Sequence, residues 1–338
     1  MSSTMATTEP NGLPHEIVWT ITNDGIRARC LQLAAEVGVA DLIDDDPVSV
    51  EELAAACDAQ ADALHRIMRL LASNGIFDRD GRSYRHTPAS RLLRNDHPMS
   101  MRAFSRMMGL PLFPQVWSNL DHSLRTGKPS VEVSEPRGFW AYLQDHPDEA
   151  QVFGQAMAAK ASADIAAVVA AYDFRGIASF ADVGGGHGHL LRALLDHAPA
   201  ARGVLFDLPE VIGGLGASPD RIDYVAGDFF ADPLPAAEAY LLMDVLHDWD
   251  DARAAQILTA IRSAAPETAR LLVIEDVLPG EEHDARAHTL DVIMLAVTGG
   301  RERTPQEFEA LFARCGFRTA QVFSTDGPRR IIEARRLA

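Results

Sequence analysis

The chain has no surplus of positive charge and no long apolar run, and cysteine is scarce. Its 338 residues carry 31 Lys and Arg against 48 Asp and Glu, a formal net charge of −17. Sequence-independent attraction to nucleic acid or to an anionic membrane needs excess cations, so neither is expected as a partner. A solvated acidic surface accounts for the charge. No stretch approaches the roughly 20 apolar residues of a membrane span. Cys30, Cys57 and Cys315 are odd in number, far apart and without a CxxC pattern, so they read as reduced thiols of a cytosolic, cytoplasmic protein. The histidines form no cluster at metal-ligand spacing; His187 and His189 are too few, and no metal is expected. Residues 1–13 are polar and lack the basic-then-apolar order of a signal peptide, which predicts a disordered leader. No internal repeat or long low-complexity tract is visible.

With 47% apolar and 23% charged residues, a chain of this length should form about two globular domains. Residues 14–170 read as almost wholly helical. Apolar positions recur at helical spacing from Ile17 to Ile43. Ser49-Val50-Glu51-Glu52 has the order of a capping box, and Asp62 to Ser73 forms another helix, stopped at Asn74-Gly75. Ile76-Phe77, the turn Asp80-Gly81 and Tyr84 suggest a short hairpin. Two helices and a small wing make a winged-helix pattern, which raises a transcriptional regulator as one reading. Its reading helix would offer only His65, Arg66 and Arg69, in a strongly acidic protein. Apolar residues crowd the segment from Met101 to Trp117, as an interface or a core would require.

From residue 171 strands and helices alternate to residue 338, the pattern of an α/β, doubly wound sheet. Its most telling stretch is Ala178 to Leu190. Phe180, Ala181 and Val183 form a short apolar run that breaks into Gly184, Gly185, Gly186 and Gly188. A helical pattern follows in Leu190, Leu191, Leu194 and Leu195. Glycines at such a turn allow a sharp bend and let a ligand approach the backbone. The next strand, Gly203 to Phe206, ends in Asp207, about 20 positions past the loop, where a ribose diol is usually held. A nucleoside cofactor is therefore expected. Asp182, just ahead of the glycines, is a poor neighbour for a pyrophosphate and suits a cofactor with a cationic end, although a nicotinamide dinucleotide stays open on spacing alone. Further apolar runs end in Gly227-Asp228-Phe229-Phe230, in His247-Asp248-Trp249 and in Glu275. The C-terminal strand edge of an open α/β sheet is where ligands bind.

These stretches together resemble the S-adenosylmethionine-dependent small-molecule O-methyltransferases, the family of plant caffeate- and isoflavone-type enzymes and bacterial antibiotic-tailoring enzymes. The matching segments are Asp-Val-Gly-Gly-Gly-x-Gly (182–188), Gly-Asp-Phe-Phe (227–230), Val-Leu-His-Asp-Trp-Asp-Asp (245–251), Val-Ile-Glu (273–275) and Gly-Gly-Arg-Glu-Arg-Thr (299–304), in the family's order. The resemblance implies a Rossmann-like methyltransferase sheet with a C-terminal antiparallel hairpin, here read at Thr319 to Ser324 and Arg330 to Ala334. Before that hairpin comes a helix that Thr304, Pro305 and Glu307 should cap and Gly316 should end. The winged-helix domain would then dimerise rather than read DNA.

What the family does at its site follows from the same resemblance. His247 would take the proton of an aromatic hydroxyl, with Glu275 and Glu302 as the acids that brace it. Asp182, Gly184, Gly186, Gly188, Asp207, Leu208, Asp228, Phe229 and Met243 would surround S-adenosyl-L-methionine. Phe153, Met157, Met294 and Thr298 would line the acceptor pocket, with Trp140 nearby. Met243 departs from the family, which usually has Lys or Arg there. Some relatives bind the cofactor yet hydroxylate or decarboxylate polyketides, so methylation is the leading expectation and that chemistry the alternative.

Overall fold

The computed structural model describes residues 13–278 and 284–337, apart from the side chains of 162 and 163. All of the expected leader except Leu13 lies outside the described residues. The chain divides into two compact units between Gly109 and Leu110.

The first unit opens with a 24-residue helix, Pro14–Val37, that leaves Val18, Trp19, Ile21 and Ile26 exposed. Helices Val50–Ala56 and Ala61–Ser73 pack with it around a core that includes Ile43, Val50, Leu53, Met68, Phe77 and Tyr84. Ser49 closes the first of these with the expected capping box. Strands β1 (Val48–Ser49), β2 (Phe77–Asp80) and β3 (Ser83–His86) form a small antiparallel sheet in the order β1-β3-β2, which completes the winged helix. His65 is buried, and its ring nitrogen lies 2.9 Å from the Tyr84 hydroxyl. It is therefore part of the core, not of an exposed reading surface.

The second unit is built on a seven-stranded sheet ordered β6-β5-β4-β7-β8-β10-β9. Its strands are β4 (Ser179–Val183), β5 (Arg202–Asp207), β6 (Ile222–Ala226), β7 (Ala239–Met243), β8 (Arg270–Asp276), β9 (Phe317–Ser324) and β10 (Arg329–Arg336). The first five are parallel; β10 runs antiparallel to β8 and β9, giving the expected hairpin. Apolar side chains cover both faces of the sheet. One face packs helices Asp251–Ala264 and Pro305–Arg314, and the other packs His189–His197 and the end of the long helix Pro147–Ala171. Thr304, Pro305 and Glu307 cap Pro305–Arg314 as expected, and Gly316 follows with φ +77°.

The division expected near residue 170 follows the change from helix to sheet, but the compact units part at residue 109. Helix Pro147–Ala171 packs on His189–His197 and on β10, and Leu112–Ser118 packs on Ala285–Val297. Helical periodicity shows that a segment is a helix; it does not say which core the helix joins. The first crossover from β4 leads to β5 on one side, and the later chain returns to β7 on the other. Ligand sites of open sheets lie at such a reversal, beyond the strands' C-terminal ends.

Candidate active site

The apolar run from Tyr240 to Leu246 suggests one continuous strand, but β7 ends at Met243. Asp244 takes a left-handed φ of +56°, and Leu246–Asp248 form a turn of 3-10 helix. Val245 and Leu246 stay apolar because they are buried inside the turn, which alternation of residue types cannot distinguish from a strand. His247 is thus carried by a tight turn beyond the sheet edge.

That turn has almost every backbone group accounted for. One oxygen of Glu275, at the end of β8, accepts the N–H groups of Val245, Leu246 and His247 at 2.6–3.2 Å. The fully buried Arg303 donates to the carbonyls of Leu246 and Trp249 at 2.9 and 2.8 Å and grips Asp251 with its remaining N–H groups. The Arg301 N–H donates to the His247 carbonyl at 2.8 Å. Gly300 lies so close that a Cβ there would come within 2.0 Å of the same carbonyl oxygen. The motif Gly-Gly-Arg-Glu-Arg is therefore a clasp around the histidine turn.

The clasp delivers Glu302, whose Oε1 lies 2.7 Å from His247 Nδ1 in a buried pair. Asp291 fixes this segment by accepting the Glu302 N–H at 2.9 Å. With Nδ1–H donated to Glu302, Nε2 is the nitrogen free to accept a proton; it stands 3.8 Å from Asp248 Oδ1. Glu275 and Glu302 were both expected against the ring, but they divide the work. Glu302 meets the imidazole, while the hydrogen bonds of Glu275 go to the backbone that carries it. The second oxygen of Glu275 has no partner among the described residues, and burial pushes its carboxyl up to about 7.

Burial works against charge on His247, but Asp248, the hydrogen bond to Glu302 and the charges of Asp244 and Glu302 outweigh it and hold the imidazole up at about 9. Asp248 is itself pushed up to about 7 by burial, against the pull of His247. The two therefore titrate together, and the direction is clear: without an acceptor the histidine favours its charged form.

A second group of charges lies just before the turn. Asp244 takes a hydrogen bond of 2.7 Å from the fully buried Arg329, with a second ionic contact at 2.6 Å, and lies 3.4 Å from Lys160. Arg329 also reaches Asp164 at 3.2 Å and Asp276 at 3.5 Å. Cations thus return beside residue 244, although Met243 itself carries none.

The other expected site residues fall at the same sheet edge. Gly184, Gly186 and Gly188 have φ of +70°, +57° and +72°, which only glycine adopts at low cost. A Cβ on Gly184 would lie 3.1 Å from Val245 and 3.6 Å from Phe229, so the glycine keeps open the space between loop and histidine turn. Asp207 accepts the Gly186 N–H at 2.7 Å and the Leu208 N–H at 2.7 Å. Asp228 closes its own turn by accepting from Phe230 at 2.8 Å. Phe229 packs edge-on against Phe230 and Trp249. Asp182 sits behind the loop: it is 1% exposed, and a Cβ on Gly185 would strike its carboxyl at 2.5 Å. Burial pushes that carboxyl up to about 7.

Helix Pro147–Ala171 spans the two halves of the site. A Cβ on Gly154 would lie 3.2 Å from His187 of the glycine loop, and Lys160 reaches Asp244. Met157 falls between them on the same helix, three residues from each. Trp140 stacks on Trp249 at 6.4 Å and meets Phe153 edge-on at 6.0 Å. Met294 and Thr298 share a helix side with Asp291, which holds Glu302. Among the described residues no group of three His, Cys, Asp or Glu could hold a metal ion.

The glycine turn, tied to Asp207 through the Gly186 N–H, and the buried His247–Glu302 pair thus stand at one edge of the sheet. Residues 117–318 match the family described as O-methyltransferase domain, and residues 19–96 match the O-methyltransferase dimerisation domain. The chain belongs to this O-methyltransferase family. The methyltransferase is 39% identical over 312 residues to phenazine O-methyltransferase PhzM of Lysobacter antibioticus, covering 90% of this chain and 91% of the relative. It is 34% identical to the phenazine-1-carboxylate N-methyltransferase of Pseudomonas aeruginosa, covering 92% and 94%. Among solved structures, it matches the O-methyltransferase NcsB1 from neocarzinostatin biosynthesis, in complex with S-adenosylmethionine and 2-hydroxy-5-methyl naphthoic acid. That match has a TM-score of 0.76 at 33% identity and covers 92% and 96% of the two chains. S-adenosyl-L-methionine is thus the cofactor, and the open glycine turn fits it.

Sequence reasoning missed Arg303, Asp291, Asp244, Arg329 and Lys160. Arg303 stood in a quoted motif with no role attached. The others have no local signal, since their partners lie 11 to 165 residues away.

Proposed function

We propose that this methyltransferase transfers a methyl group to a hydroxyl of an aromatic small molecule, of phenol or polyketide type, with His247 as the base. When bound, S-adenosylmethionine supplies an electrophilic methyl on a sulfonium, already a good leaving group. What remains for the chain is to hold the acceptor in line and to take its proton. The observation that carries this reading is the His247–Glu302 pair, buried and 2.7 Å apart, which occupies Nδ1 and leaves Nε2 as the nitrogen free to take a proton. Glu302 positions the ring and favours its protonated form, so His247 is a stronger base than a free imidazole. Nε2 would take the acceptor's proton as its oxygen becomes the nucleophile. Gly184, Gly186 and Gly188 would cradle the methionine end, Asp207 the ribose, and Asp228 with Phe229 and Met243 the adenine; Leu208 and Asp182 would shape that seat. Phe153, Met157, Met294, Thr298 and Trp140 would sandwich the acceptor ring.

The exposed apolar residues of the first helix, in a segment matching a dimerisation domain, support a homodimer through the N-terminal unit. We read the enzyme as cytoplasmic and metal-independent; no single described helix is long and apolar enough to cross a membrane.

The test is a panel of hydroxylated and aminated aromatics followed by mass spectrometry. One added methyl on oxygen is expected, in the presence of a chelator as in its absence. His247→Ala should lower turnover at least ~100-fold while S-adenosylhomocysteine still binds. Methylation on nitrogen alone, or an unchanged rate in the variant, would overturn the reading.

A further inference from the structure

Lys160 is the residue that the functional reading leaves without a task. The chain has only one other lysine, Lys128, and uses arginine everywhere else for positive charge. Lys160 is largely buried, with its side chain 16% exposed, and its Nζ lies 3.4 Å from Asp244. That contact is the longest of the ionic contacts to Asp244, which Arg329 approaches to 2.6 and 2.7 Å. An ammonium carries three donors, and the long contact uses one. Phe153, Met157 and Lys160 stand at i, i+4 and i+7 and so share one face of the helix. The helix side is fixed at one end by Gly154 against His187 of the glycine loop, and at the other by Lys160 itself beside the histidine turn. The charge of Asp248, on the same turn, also acts on the ammonium.

Resting on the reading of that helix face as acceptor wall, we propose that Lys160 is a specificity-determining residue that binds an acidic substituent, a carboxylate or its equivalent, on the aromatic acceptor. An acceptor ring lying over Met157 with its hydroxyl at His247 Nε2 would carry an anionic group toward the ammonium. The strongly hydrated, compact charge of lysine suits a single oxyanion better than the forked arginine does. Arg329 stays locked on three carboxylates behind it.

The test is calorimetry on the full chain saturated with S-adenosylhomocysteine, using 3-hydroxy-2-naphthoate and its uncharged carboxamide as probes. The native enzyme should bind the acid at least tenfold more tightly than the amide. Lys160→Met should abolish that preference without weakening S-adenosylhomocysteine, and Lys160→Arg should keep part of it. Equal affinities in the native enzyme, including no binding of either probe, overturn the proposal, as does a preference that survives Lys160→Met. Because the readout is equilibrium binding, it stands apart from turnover. Loss of methyl transfer chemistry would strike the His247 reading and leave this comparison intact.

Discussion

Replacing Glu302 by Gln should change the pH dependence of catalysis more than its geometry. The amide can still meet His247 Nδ1 across the 2.7 Å gap, but one of the charges that raise the imidazole is lost, while Asp248 and Asp244 remain. A phenol has a pKa near 10 and a free imidazole near 6.5, so proton transfer between them is uphill by about 5 kcal/mol. With His247 held at about 9, the same transfer is uphill by only about 1.4 kcal/mol. The surroundings thus contribute on the order of 3 kcal/mol to basicity, at the cost of a histidine mostly charged at neutral pH. Native kcat/KM for a phenolic acceptor should climb with pH toward an inflection near 9. In Glu302→Gln the inflection should move down from about 9 without reaching 6.5, because Asp248 and Asp244 keep their charges, and the plateau should drop by roughly 10- to 100-fold. The assay is initial release of S-adenosylhomocysteine from pH 5.5 to 9.5 at saturating cofactor. An inflection that stays put or moves upward would refute the reasoning.

Stability should follow the same group. The folded pKa of His247 lies above its unfolded value, so its contribution is fully present below about pH 6.5 and is lost as pH rises through about 9. Denaturant titration of native enzyme against His247→Asn should show the difference shrinking over that window. Gly300→Ala places a methyl 2.0 Å from the His247 carbonyl oxygen and must push the clasp away from the turn. Activity should fall at least ~100-fold from misplacement alone, whereas Gly216→Ala, with nothing within 4 Å, should be silent in activity and in thermal unfolding. Arg329→Met removes the buried partner of Asp244, Asp164 and Asp276 and should cost about 3–5 kcal/mol in chemical denaturation. A loss below about 1 kcal/mol, the range of exposed pairs, would show that the network is not a buried keystone.

Much of this fold was legible because local rules governed it. The glycine turn, the capping boxes at Ser49 and Thr304, and the closing hairpin are each specified by neighbouring residues. His247 and Glu302 were recognisable by motif, although nothing in composition or periodicity would have paired residues 55 apart. The failures share a cause. The strand read through Leu246 actually stops at Asp244, because a buried turn can be as apolar as a buried strand. Glu275 was expected against the ring, since a motif names a carboxylate without saying which donors it will find. Helices between residues 110 and 171 were assigned by continuity to the first unit, whereas they pack within the second. The Asp244–Arg329–Lys160 cluster joins three distant segments and exists only once the sheet has closed.

The central claim is that imidazole basicity, set by a clasped turn and a buried glutamate, removes the acceptor's proton. A crystal structure with S-adenosylhomocysteine and a hydroxylated aromatic found to be methylated tests this most directly. The account predicts that the acceptor oxygen lies about 2.6–3.2 Å from His247 Nε2, with the Glu302 contact kept. An acceptor oxygen held by other groups, more than one water's width from Nε2, would contradict it.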